Sequence, residues 1–180
     1  MMNHFGRGVM IVIVFVSLLL GICSCGLEES YKEFTIANIT DCDVNDYISS
    51  ANLEFARISD ITIIPEIKEI KHGEYLIYLS AYSEIETNCI IVKNLTMSVR
   101  DKVFLEHELN QKIVLEQSEN NIYEGWIVGG SFTDNEVDIL NGEELRLIVQ
   151  LQVERDMKDI SKTIDYEIKV KIYKTWGVQI

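Results

Sequence analysis

The chain has 180 residues, with 29 acidic against 16 basic side chains and a formal charge of −13. Its length suits one domain with its own core. An acidic excess of this size excludes nucleic acid as a partner, because phosphate backbones are held by clustered lysine and arginine.

A short polar start containing Arg7 leads into an apolar run from Val9 to Ile22, followed by Cys23-Ser24-Cys25 and the polar Gly26-Leu27-Glu28-Glu29. Basic, then apolar, then small is the layout of a secretory signal. The apolar run is about 14 residues, whereas a helix needs ~20 to cross a bilayer. The segment Leu20-Gly21-Ile22-Cys23-Ser24-Cys25 resembles the lipobox of bacterial lipoproteins, with small Ser24 before Cys25 and aliphatic Ile22 three positions ahead of it. Cys23 at the second position before Cys25 departs from the usual pattern. The resemblance implies a signal peptide over residues 1–24 and a Cys25 that is diacylated and becomes the new N-terminus. Each buried methylene adds ~0.8 kcal/mol of membrane affinity, so several acyl chains anchor a protein stably in the lipid bilayer. The implied location is the cell membrane or outer membrane, with the domain outside the cytoplasm. In a Gram-negative envelope, Gly26 in place of aspartate implies the outer membrane. The alternative is an ordinary cleaved signal that releases a soluble protein.

Processing at Cys25 leaves Cys42 and Cys89 as thiols. In an oxidising compartment the two are expected to form a disulfide. Closing a loop of this length contributes about 3 to 4 kcal/mol in the chain-entropy model. The alternative is two separate buried cysteines that act as small hydrophobes.

Residues 25–33 are polar and acidic and predict a flexible tether, leaving 34–180 as the folded domain. Tyr31 to Ala37 suits an opening strand, and Asn38 to Tyr47 is rich in turn formers. Asn52 to Ile64 predicts a strand bounded by Pro65, the only proline, which belongs at a strand end or sheet edge. His72-Gly73 separates Ile67 to Lys71 from Tyr75 to Tyr82, whose two faces both carry large groups, as in a central strand. Cys89 to Val99 predicts one long or two bent strands. Arg100 to Gln111 hints at helix, although Val103 and Leu105 alternate. Lys112 to Glu116 and Ile122 to Val128 flank Ser118 to Asn121, a hairpin loop. Asn141-Gly142 is a strong hairpin signal through the type I′ turn. Beyond it, Leu145, Leu147, Val149, Leu151 and Val153 alternate with polar residues, as do Ile164, Tyr166, Ile168 and Val170. Period 2 held over about ten residues twice in succession predicts two strands paired antiparallel across an Arg155 to Lys162 loop. The sum is an all-β chain, an antiparallel β-sandwich, of which the immunoglobulin-like arrangement is one form. A half-open barrel is the other candidate.

No catalytic constellation stands out. His72 and His107 lie in no zinc spacing, and there is no nucleophile elbow or phosphate loop. Asp41-x-Asp43-x-Asn45 opens like a calcium loop, but Asp46 stands where glycine is needed and Asn52 where a glutamate is needed. No metal and no cofactor are assigned. Tyr75, Tyr78, Tyr82, Tyr123 and Trp126 gather in the central strands. They are either core or an aromatic contact face, since Tyr and Trp dominate binding hot spots. The expectation is a non-enzymatic, membrane-anchored protein-binding module with a partner protein in the envelope, of which an immunity-type protector is one form. The alternatives are an envelope hydrolase acting on glycan or lipid, and a structural or assembly factor.

Overall fold

The computed structural model describes residues 28–37, 39, 51–86, 89–118, 121–155 and 158–176. It divides into two units, one of residues 1–31 with 173–180 and one of residues 32–172. In the first, the rings of Tyr31 and Tyr173 stack at 5.0 Å between centroids. The second unit carries the core.

Among the described residues the strands are β1 (Glu28–Ile36), β2 (Arg57–Ile58), β3 (Ile61–Lys71), β4 (Glu74–Ser83), β5 (Cys89–Val99), β6 (Lys102–Val114), β7 (Glu116–Gln117), β8 (Tyr123–Thr133), β9 (Glu144–Arg155) and β10 (Lys158–Trp176), with one 3-10 helix, Ala51–Ala56. They form two five-stranded sheets, in the orders β1-β10-β9-β5-β6 and β2-β3-β4-β8-β7. The fold is an all-β sandwich. Taking β3, β4, β8 and β7 as strands A, B, E and D, and β10, β9, β5 and β6 as G, F, C and C′, the strand order is that of immunoglobulin sheets. No helix among the described residues is long and apolar enough to cross a membrane.

Period-2 patterning explains which side of each strand faces in. Leu145, Leu147, Val149, Leu151 and Val153 of β9 are buried, as are Ile164, Tyr166, Ile168 and Val170 of β10. Val149 faces Ile164 on one side and Leu95 of β5 on the other. Where the pattern changes phase, a bulge absorbs it. In β5 the buried set passes from Ile90 and Val92 to Leu95 and Met97, and the register skips Lys93 between Val92 and Asn94. In β8 the register skips Gly129, so Ile127 and Phe132 both turn inward. One extra residue per bulge keeps the apolar face on the core. Tyr166 pins the sheets together, its hydroxyl donating to the Ile63 carbonyl at 2.7 Å. Burial pushes the phenol's pKa up. Tyr166→Phe keeps the ring but leaves that carbonyl without its buried donor. The expected loss is about 1 to 3 kcal/mol, read as a lower urea midpoint at unchanged slope.

Several expectations are corrected. β1 begins at Glu28, so residues 28–33 are strand rather than tether. β6 is a 13-residue strand where the sequence hinted at helix. Its charged side chains suit its place at a sheet edge, which polar groups protect from pairing. Of the two places expected for Pro65, a strand end or a sheet edge, it takes the edge, inside β3. β2 covers only Ile61 and Thr62, so from Ile63 onward β3 has an open flank where the missing N–H of proline costs no ladder bond. Ala51–Ala56 is 3-10 helix, although part of it alternates like a strand. The β9–β10 hairpin pairs Arg155 with Lys158, leaving a loop shorter than the sequence suggested.

Asn141-Gly142 makes a turn but no hairpin, because β8 and β9 belong to different sheets. Gly142 takes φ +81°, while Asn141 spends its side chain accepting the Ile172 N–H at 2.9 Å. Next to it, Arg100 and the Leu140 N–H hold the Glu143 carboxyl below the usual carboxylate range.

Candidate functional site

The two outer sheet faces differ in kind. On the β9–β10 side, polar groups satisfy one another. Arg146 donates through Nε to both carboxylate oxygens of Asp165 at 2.9 Å, and Asn94 donates to Gln150 at 2.9 Å. On the other sheet, the outward positions of β4 and β8 carry Tyr78, Ser80 and Tyr82 opposite Val128, Trp126 and Glu124 respectively. The Trp126 side is left in water at 65% exposure, the highest of any large hydrophobic residue there. Its ring meets Tyr78 edge-on at 6.0 Å, and the Lys68 ammonium lies 5.5 Å from the Tyr78 ring centroid.

Beside Trp126 lies an open groove of about 420 Å³, bounded by Ser80 and Tyr82 of β4, Glu124 to Trp126 of β8, and Val114 with Glu116, Gln117 and Ser118 from the far side. Chain geometry builds that far wall. β6 belongs to one sheet, yet Val114 leads through Leu115 into β7, which pairs with β8 of the other. The crossing approaches so closely that a Cβ on Gly125 would lie 2.1 Å from the Val114 carbonyl oxygen. Glycine at 125 therefore brings the wall up to Trp126.

The aromatic residues expected to act together are divided by strand phase. Tyr78, Tyr82 and Trp126 share the outer face. Tyr75 is corrected to the core: it is odd-numbered in a strand whose odd positions point in, and it stacks on Phe132 at 5.0 Å. Its hydroxyl faces Asp134, and Lys32, which also pairs with Asp134, lies 5.7 Å from its ring centroid. Desolvation first, then the Asp134 charge, raises its pKa. Tyr123 is half-buried and packs against the core from the end of β8. The strand alternation was visible in the sequence, and it alone separates Tyr75 from Tyr78.

The groove's other wall was not anticipated. Its signal was the hairpin loop at Ser118 to Asn121, but counting outward from that loop pairs Gln117 with Ile122, one residue short of the observed Gln117 with Tyr123 and Glu116 with Glu124. Cys25, Cys42 and the Asp41-Asp43-Asn45 run lie outside the described residues, as does the side chain of Cys89. Cys89 opens β5, with its backbone in register with Val114. In the acidic Thr133 to Asp138 stretch, Glu136 accepts the Thr133 N–H at 2.7 Å, which is turn chemistry. Among the described residues no group of three or more His, Cys, Asp or Glu side chains is placed to hold a metal ion. His72 sits exposed in the β3–β4 turn, 3.8 Å from Glu69, and His107 is exposed on the edge strand β6.

Fold and face together define an all-β sandwich with an aromatic groove on one sheet. No family model matches the chain, and no curated protein matches it. Among solved structures it is similar to one described as the crystal structure of a protein from Archaeoglobus fulgidus, with 9% identity and a TM-score of 0.41 over 63% of this chain and 95% of that one.

Proposed function

We propose that the protein is a non-enzymatic interaction module. It is tethered to an envelope membrane through lipidated Cys25 and binds a partner protein with the outer face of the β3–β4–β8 sheet. The observation that carries this reading is the exposed indole of Trp126, set beside Tyr78 and Tyr82 at the rim of an open groove. Large rings held rigidly on a sheet contribute contact area at little entropic cost, and Trp and Tyr are the residues in which binding energy concentrates. On the opposite sheet the polar pairs Arg146 with Asp165 and Asn94 with Gln150 already satisfy one another. The tether rests on the lipobox-like Leu20 to Cys25 segment, and a short lead from Cys25 to β1 keeps the module close to the lipid.

The test is crosslinking in intact envelopes followed by mass spectrometry, with the native protein, Cys25→Ala and Trp126→Ala in parallel. One dominant protein should be captured by the native chain. It should be reduced by about tenfold or more with Trp126→Ala, the range of a hot-spot truncation, and reduced again when Cys25→Ala releases the chain from the membrane fraction. Capture that ignores Trp126 removes this face as the contact surface. Membrane retention of Cys25→Ala removes the lipid tether.

A further inference from the structure

Building on that binding-module reading, we infer that the groove receives a lysine or arginine side chain from a basic segment of the partner protein. Glu116 of β7 and Glu124 of β8 are register partners, so their side chains leave the same face as direct neighbours. Cβ atoms so placed are ~4.5 to 5.5 Å apart, and like charges there destabilise a sheet. None of the ion pairs among the described residues includes either glutamate. Tyr82 is the register partner of Glu124 on the other side, and Trp126 follows two positions along β8. The result is a pair of neighbouring carboxylates bordered by two aromatic rings in an open groove.

A cation answers all of these features at once. It balances the paired charge, donates charge-assisted hydrogen bonds to the carboxylates, and lies against the indole face, the strongest of the aromatic cation acceptors. A neutral ligand such as a sugar ring would leave the two charges facing each other. The same sheet already holds one ammonium against a ring, that of Lys68 over Tyr78, immediately beside Trp126. The chain's charge of −13 adds a field that draws a basic partner toward the surface.

The test uses the full mature chain carrying Trp176→Phe, so that Trp126 is the single fluorophore of the two tryptophans. The probe is a blocked peptide of alternating alanine and arginine, with a citrulline version as its neutral twin. The expected result is saturable quenching by the arginine peptide that weakens with added salt. It should fall about tenfold or more with citrulline, and equally in the Glu116→Gln/Glu124→Gln double variant. That double variant should melt no lower than the parent, because a repulsion has been removed, so its loss of binding is not unfolding. Equal affinity for the two peptides, or an unchanged double variant, overturns the proposal. So does saturable Trp126-dependent binding of a neutral oligosaccharide, or a dimer of this chain that buries the groove. If the crosslinked partner still depends on Trp126 while the arginine peptide does not bind, the cation assignment alone fails. If capture is indifferent to Trp126, the surface itself is wrong.

Discussion

Val149→Asp unfolds the domain. Val149 is fully buried at the centre of β9, with Ile164 of β10 and Leu95 of β5 as its register partners on either side, both of them also buried. Among the described residues the buried core holds no cation for an aspartate there to pair with, and an isolated charge in such surroundings costs several kcal/mol even after relaxation. The lost valine methyls add about 1 to 3 kcal/mol. Together these rival the 5 to 15 kcal/mol by which a typical domain is stable. Burial raises the carboxyl's pKa in the folded state above its unfolded value. The penalty is therefore greatest above the folded pKa and eases as acid neutralises the group. The measurement is a thermal melt followed by circular dichroism, with Gln150→Asp on the exposed side of the same strand as control. The Val149 variant should lack a cooperative transition at neutral pH, while the control shifts by about 1 kcal/mol or less. A near-parental melt for Val149→Asp would mean that β9 presents its other side to the core.

The same alternation that exposes Val149 to this prediction made most of the architecture legible. From Leu145 to Val153 of β9 and from Ile164 to Ile172 of β10 the apolar period never breaks, so strand, face and antiparallel pairing followed from the sequence there, while Lys162 interrupts the period and hid the pairing nearer the turn. Where it breaks, legibility depended on reading a phase change as a bulge. Lys93 and Gly129 each restore the inward face after one extra residue, and neither announces itself by composition. β6 was obscured because its inward positions are only partly apolar, with His107 and Gln111 between Leu105 and Ile113, so its period is weak, and its pairing with β5 supplies what its own pattern lacks. Asn141-Gly142 misled for a different reason. A turn signal is local, whereas whether two strands become neighbours is decided by which sheet each one's apolar face can join. The aromatic surface was half legible: alternation places Tyr78, Tyr82 and Trp126 on one face and sends Tyr75 to the core. Glu124 lies on β8 with Trp126, but Val114 and Glu116, which complete the groove, arrive from a segment that changes sheets, a long-range event with no local signature.

Gly125 ties that long-range event to the site, and Gly125→Ala should damage stability and binding together. A Cβ at this position would stand 2.1 Å from the Val114 carbonyl oxygen and 2.9 Å from Ile113 Cγ2. The nearer atom is backbone, so no rotamer change can relieve the clash; β6 and β7 must draw back from β8. Withdrawal strains the β7–β8 pairing, which consists of only Glu116 with Glu124 and Gln117 with Tyr123. It also disturbs the buried Ile113. Overpacking of this kind costs about 1 to 3 kcal/mol, and the upper end is expected because the obstacle is main chain. Gly130→Ala supplies the contrast. Its Cβ would meet the His107 ring at 3.1 Å and Leu105 Cδ2 at 3.3 Å, both on side chains, and the exposed His107 can turn away. In urea unfolding the Gly125 variant should therefore fall well below the Gly130 variant. Binding should separate them further, because moving β7 carries Glu116 away from Glu124 and opens the wall beside Trp126. The arginine peptide should then bind Gly130→Ala like the parent and Gly125→Ala about tenfold more weakly or worse, as when a charged hydrogen-bonding partner is lost. If Gly125→Ala matches the parent in both midpoint and affinity, the close approach of β6 to β8 does not build the groove, and the glutamate pair would have to be held in place by the β7–β8 hairpin alone.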